Sequence, residues 1–152
     1  MEGRCTCGAV HYSLTAPSLF THACHCTWCQ RDSGSAFALN AMIETDHLVV
    51  RGEVEEIVTP TASGKGQIVA RCPICKVALF SHYAGAGRKL AFVRVGTLEN
   101  PADCPPDIHI FTTTKLPWVV LPNAARAVPE YYRRSEHWPP ESLARWAKLQ
   151  AG

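Results

Sequence analysis

The chain has 152 residues, 47% apolar and 18% charged, with a formal net charge of +2. Such a length fits one domain with a modest core, and the composition is that of an ordinary globular protein. No apolar run is long enough to span a membrane, and a positive charge this small, scattered apart from Arg133-Arg134, argues against nucleic acid as a partner.

Met1-Glu2-Gly3-Arg4 leads at once into Cys5-Thr6-Cys7-Gly8. No secretory leader is expected, so the cytoplasm is the expected compartment, where close cysteine pairs bind metal or do redox chemistry more often than they form disulfides. Residues 7–14 alternate, with Val10, Tyr12 and Leu14 on one side, and predict a half-buried strand. After Ala16-Pro17-Ser18 comes a cluster of three thiols, Cys24-His25-Cys26-Thr27-Trp28-Cys29, and then a turn at Asp32-Ser33-Gly34-Ser35. Residues 36–43 predict a mostly buried strand, and 47–52 and 54–58 two strands meeting at Gly52. A loop to Gly66 precedes strand 67–71, which runs into Cys72-Pro73-Ile74-Cys75. Further short strands are predicted at 77–83, 90–95, 108–112 and 118–121, the spacing of an all-β architecture. The tail differs: after Pro139-Pro140, residues 141–150 put Leu143, Trp146, Ala147 and Gln150 on one face of a short helix.

The cysteines carry the chemistry. Tetrahedral zinc with Zn–S bonds of about 2.3 Å holds its sulfurs a little under about 4 Å apart, a spacing that C-x-C and C-x-x-C turns can deliver. Cys5, Cys7, Cys72 and Cys75 therefore predict a closed, structural zinc that ties the first strand to the middle of the chain. The competing reading of Cys72-Pro73-Ile74-Cys75 as a redox dithiol lacks its usual strand–helix context.

Cys24, Cys26 and Cys29 supply three ligands for a second zinc and leave its fourth position open to a histidine, water or substrate. His22 can reach it, whereas His25, between two cysteines, should point away. An open zinc of this kind suits capture of a small thiol as its thiolate. Trp28 is a candidate wall for the bound thiol. Arg31 is either a partner for its carboxylate or a solvated surface arginine. His109 either lines a pocket or is a hydrogen-bonded structural histidine. Trp118 reads as a core anchor and Cys104 as a buried or loop cysteine. With seven thiolates and two divalent ions the net charge falls to about −1, further from a phosphate-binding protein.

The ordered set Gly3-Arg4-Cys5-x-Cys7-Gly8, Cys24-His25-Cys26-x-x-Cys29-Gln30-Arg31, Ser33-Gly34-Ser35-Ala36-Phe37 and Arg71-Cys72-x-x-Cys75 resembles the glutathione-dependent formaldehyde-activating enzymes. That family also includes centromere protein V. The likeness continues through Val95-Gly96-Thr97-Leu98, Pro106-Asp107-Ile108-His109-Ile110 and Lys115-Leu116-Pro117-Trp118, and spans roughly residues 3–122. It implies a mainly β fold, a β-tent of several coiled sheets around zinc, with two zinc ions per chain. By the same likeness Cys24, Cys26 and Cys29 hold the zinc associated with activity.

The reaction implied is a carbon–sulfur lyase run in reverse, joining glutathione or a similar thiol to formaldehyde or a related small aldehyde. Members of the family do not all share one substrate. A non-catalytic zinc- and thiol-binding protein of the same fold is the alternative. The expected organisation is a zinc-binding domain over 1–125 and an extension over 126–152, with its short helix packed on the same domain.

Overall fold

The computed structural model describes all 152 residues. In chain order the elements are β1 (Glu2–Arg4), β2 (His11–Leu14), β3 (Phe20–Cys24), α1 (Thr27–Ser33), β4 (Ala38–Glu44), β5 (Leu48–Arg51) and β6 (Glu55–Thr59). They continue with β7 (Gln67–Arg71), β8 (Ala78–Tyr83), β9 (Leu90–Arg94), β10 (Ile108–Ile110), α2 (Arg134–His137) and α3 (Pro140–Ala151). The fold is mainly β, in two sheets. A three-stranded sheet has the order β1-β2-β5, and a seven-stranded sheet the order β10-β3-β4-β9-β8-β7-β6. All pairings are antiparallel except β10 with β3.

Alternation works as expected in β2, whose Tyr12 and Leu14 are buried while His11 is exposed. The expected strand at 7–14 begins later, because Cys5 to Gly8 form a turn closed by the Gly8 amide on the Cys5 carbonyl at 3.2 Å. The two strands meeting at Gly52 do not form a hairpin. β5 closes the small sheet, and β6 becomes an edge of the large one. Gly52 makes that crossing with φ of 97°, and a Cβ there would lie 2.4 Å from the Ala9 carbonyl oxygen, so only glycine fits.

Three further departures have physical causes. β3 was not expected because all five of its residues are buried between β10 and β4, which erases the two-residue period. α1 has no buried residue and so no apolar face. Its ends define it, with the Cys26 sulfur accepting the Cys29 amide and the Gly34 amide returning to the Gln30 carbonyl. No strand forms at 118–121. The free edge of β10 is already taken by the chain beyond, through His109 N–H to the Arg126 carbonyl at 2.8 Å and Val128 N–H to the His109 carbonyl at 2.9 Å. Trp118 is consequently 71% exposed rather than a core anchor.

The core falls into two clusters. One gathers Tyr12, Leu14, Ile43, Leu79, Val93 and Val95 with Cys5 and Cys72 at its margin. The other joins Phe20, Met42, Leu90 and Ile108 to Trp138, with Leu143, Trp146 and Leu149 of α3 packed against it. The helix face is thus 143/146/149 rather than one including Ala147, which is exposed. Arg145 fastens α3 to β4 by a forked pair with Glu44, its Nε donating to Oε1 at 2.8 Å.

Candidate metal centres

Four cysteine sulfurs from distant segments converge, those of Cys5, Cys7, Cys72 and Cys75, all within 4.8 Å of one another. Cys5 and Cys7 Sγ are 3.6 Å apart and Cys7 and Cys72 Sγ 3.7 Å, close to the separation of about 3.8 Å that Zn–S bonds of about 2.3 Å impose on a tetrahedron. Two tight turns deliver them. Gly8 (φ of 77°) turns the first back, and in the second the Lys76 amide closes on the Cys72 carbonyl at 2.9 Å.

Amides aimed at the sulfurs favour negative charge there. Cys75 is drawn down to about 6 by the backbone N–H groups of Cys7 and Val77. The Ala9 amide acts the same way on Cys7, but partial burial and the neighbouring sulfurs outweigh it and push that thiol up to about 11. Four thiolates this close repel one another unless a cation sits among them, which is the donor set of a divalent metal.

The second group is Cys24, Cys26 and Cys29, whose sulfurs also lie within 4.8 Å of one another. β3 carries Cys24 to its last position, beside Ala38 of β4 and Ile110 of β10. Cys26 caps α1, and Cys29 follows in the first turn with its amide 3.3 Å from the Cys26 sulfur. Hydrogen bonds from Cys24 and Cys29 draw Cys26 down to about 2, while sharing with Cys26 pushes Cys24 up to about 12. A divalent ion among the three sulfurs would make all of them thiolates.

The histidines divide as their positions demand. His25 is fully buried and turned away, its Nε2 2.9 Å from Nδ1 of His109 in β10. The carbonyl of His25 is clamped by Gln30 Nε2 and Thr114 Oγ1, each donating at 2.9 Å. His22 is bound through Nε2 to the Tyr132 hydroxyl and is not part of the sulfur cluster. Burial, with Arg134 nearby, takes its pKa down to about 3 and keeps the ring neutral.

Only the three-cysteine group opens onto the large cavity, a cleft of about 500 Å³. Its sulfurs form one wall, and Tyr83, Phe92, Phe111, Tyr131 and Trp146 give the rest a largely apolar surface. Trp28 lines it while staying 43% exposed. Arg31 is exposed and outside the lining. Sequence reasoning missed Tyr131, Arg134 and Trp146, although the density of aromatic residues in the tail was a visible signal. Cys104 is buried and belongs to neither sulfur group, its Sγ against the Thr21 hydroxyl at 3.4 Å.

Comparison with known proteins agrees with this geometry. A Halomonas elongata protein, provisionally named a glutathione-dependent formaldehyde-activating enzyme, is 26% identical over 154 residues, covering 96% of this chain and 93% of that one. The crystal structure of a Rhodobacter sphaeroides protein superposes with a TM-score of 0.51 at 24% identity, over 68% of this chain and 94% of that one, a likeness of fold. No helix is long and apolar enough to cross a membrane. Residues 1–114 match the family described as glutathione-dependent formaldehyde-activating enzyme, and the chain belongs to that family.

Proposed function

We propose that the protein holds two zinc ions and uses the second to capture a small thiol for addition to formaldehyde or a related small aldehyde. Cys5, Cys7, Cys72 and Cys75 hold the structural ion; Cys24, Cys26 and Cys29 hold the other. The observation that carries this reading is the asymmetry between the two groups: four sulfurs closed on themselves, three facing a cavity. Residues 1–125 act as the zinc-binding domain, with 126–152 packed on it, in a cytoplasm that keeps the thiols reduced.

Zinc held by Cys24, Cys26 and Cys29 would supply a Lewis acid that lowers the pKa of an incoming thiol. The chain does the rest. The clamp on the His25 carbonyl fixes the loop between Cys24 and Cys26, and the aromatic residues give the reacting sulfur a largely apolar surround. In the addition a C–S bond forms, the aldehyde C=O becomes C–O⁻, and solvent returns the proton to give the hemithioacetal.

A second reading keeps the thiol capture and drops the turnover. No titratable side chain of the lining other than the cysteines and tyrosines is free to move a proton. His22 is tied to Tyr132, Asp32 accepts from Arg94 at 2.8 Å, and Arg134 offers no proton at neutral pH. Zinc content per chain and the rate of adduct formation against buffer separate the two readings. Two zinc ions and an accelerated rate that disappears in Cys26→Ser, with one zinc retained, are expected. An unchanged rate in that folded variant leaves only the binding protein.

A further inference from the structure

The cavity carries one fixed charge that nothing in the chain answers. Arg134 lines it from the start of α2, in the tail beyond the matched family region, and its guanidinium lies 4.3 Å from the ring centre of Trp146 and 5.4 Å from that of Trp138. Its Nε is buried without a hydrogen-bond partner. The other arginines and lysines with acidic partners, Arg4, Lys76, Arg88, Arg94, Arg133 and Arg145, take Glu99, Glu55, Glu56, Asp32, Glu136 and Glu44. Arg134 has none. The only acidic side chain of the lining, Asp32, is paired to Arg94 with both side chains at 16% exposure or less.

Contact with two indole rings restrains the guanidinium, while no protein acceptor takes its Nε–H. A buried donor without a partner destabilises the free protein and strengthens binding of whatever supplies the acceptor. The remaining walls combine aromatic rings with the neutral polar side chains of Asn40, Thr61, Ser63, Gln67 and Gln150, and offer no second cation and no free carboxylate.

We infer that Arg134 is a specificity-determining residue and that the ligand is a thiol with an apolar, aromatic-sized body and a single carboxylate, its sulfur at the three cysteines and its carboxylate on Arg134. This rests on the thiol-capture reading above and narrows it. Glutathione fits the site less well. Its second carboxylate finds no second cation, and its ammonium finds no free carboxylate, only an Asp32 committed to Arg94 and the neutral amide oxygen of Gln67.

The test uses the zinc-loaded protein and calorimetric titration with 2-mercapto-3-phenylpropanoate, 2-phenylethanethiol and glutathione. The aromatic mercaptocarboxylate is expected to bind about tenfold or more tighter than either of the others. Arg134→Met should remove that advantage and leave 2-phenylethanethiol unchanged, which also reports that the cavity is intact. Arg134→Lys should restore part of it. Equal binding of all three thiols to the wild type, or an equal loss of both aromatic thiols in Arg134→Met, overturns the role of Arg134 and leaves thiol capture standing. Failure of every thiol to bind the wild type removes the thiol-capture reading itself.

Discussion

The Nε2 of His22 and the hydroxyl of Tyr132, 110 positions apart in sequence, are hydrogen-bonded to each other beside the three-cysteine group. Tyr132 also accepts the indole N–H of Trp138 at 2.8 Å, so a chain of polar contacts runs from the tail core to the residue two before Cys24. His22 is 4% exposed, and loss of its partner strands a buried ring nitrogen. Tyr132→Phe is expected to lower stability by about 1–3 kcal/mol, read as a shift of the urea midpoint at constant slope, because it orphans the His22 and Trp138 nitrogens together. Zinc content should not change. A neutral effect on the midpoint would show that the contact contributes nothing to the fold.

The two cysteine groups should differ in how firmly they hold metal. The first group has four sulfurs, with Cys5 and Cys72 at 1% and 0% exposure and Cys7 exposed, and is absent from the cavity, while the second has three and lines it. A chelator is therefore expected to remove zinc in two phases, the cavity ion first and without loss of secondary structure. Cys26→Ser should abolish only the fast phase. Cys72→Ser should unfold much of the chain, since that group fastens the turn after β1 to the turn after β7. Metal release followed by a colorimetric zinc indicator, with circular dichroism on the same samples, checks both.

Those same cysteines explain how much of the molecule was legible in advance. Metal geometry acts over two or three residues, so Cys5-x-Cys7 and Cys72-x-x-Cys75 announce their partnership without reference to the fold. β2 was legible because one face meets the core and the other does not. β3 lost its period by being buried on both faces, and α1 never had one, being capped rather than packed. The cavity was the least legible part. It is lined by Phe92, Phe111, Tyr131 and Trp146, residues from four separate segments, and no local pattern encodes that meeting. Arg31, weighed as a partner for a carboxylate, lies exposed and outside the cavity lining for a similar reason. Sequence adjacency to Cys29 says nothing about which way a side chain on a solvent-facing helix points.

The junction of the tail with the sheet should respond to acid. Glu44 of β4 is largely enclosed, which pushes its carboxyl up, but the hydrogen bonds from Arg145 prevail and hold it below its ordinary value of 4.5. A group with a depressed folded pKa contributes its stability in full above the unfolded value and loses it as pH falls through the folded one. Stability should thus fall below about pH 4.5, part of the loss belonging to this pair. Arg145→Met is expected to cost about 1–3 kcal/mol at pH 7 and to flatten that part of the acid dependence. Urea unfolding at pH 7 and pH 4 on both proteins reads the difference between the slopes.

The clamp on the His25 carbonyl is the remaining lever on the second centre. Gln30 Nε2 donates to that carbonyl at 2.9 Å and also to the Thr114 carbonyl at 3.0 Å, tying α1 to the turn after β10. Thr114 donates to the same His25 carbonyl at 2.9 Å, so the peptide between Cys24 and Cys26 is held from two sides. Neither residue touches a sulfur. Their effect is to fix the backbone from which two of the three sulfurs project, and outer groups of this kind typically change metal affinity by about 10- to 100-fold. Gln30→Met keeps the length of the side chain and removes both donations, while Thr114 continues to satisfy the His25 carbonyl. It should weaken zinc at the three cysteines within that range and leave the four-cysteine ion untouched, as read by competition with a fluorescent zinc chelator. Unchanged affinity would mean that α1, through its Cys26 cap, sets the sulfur geometry alone.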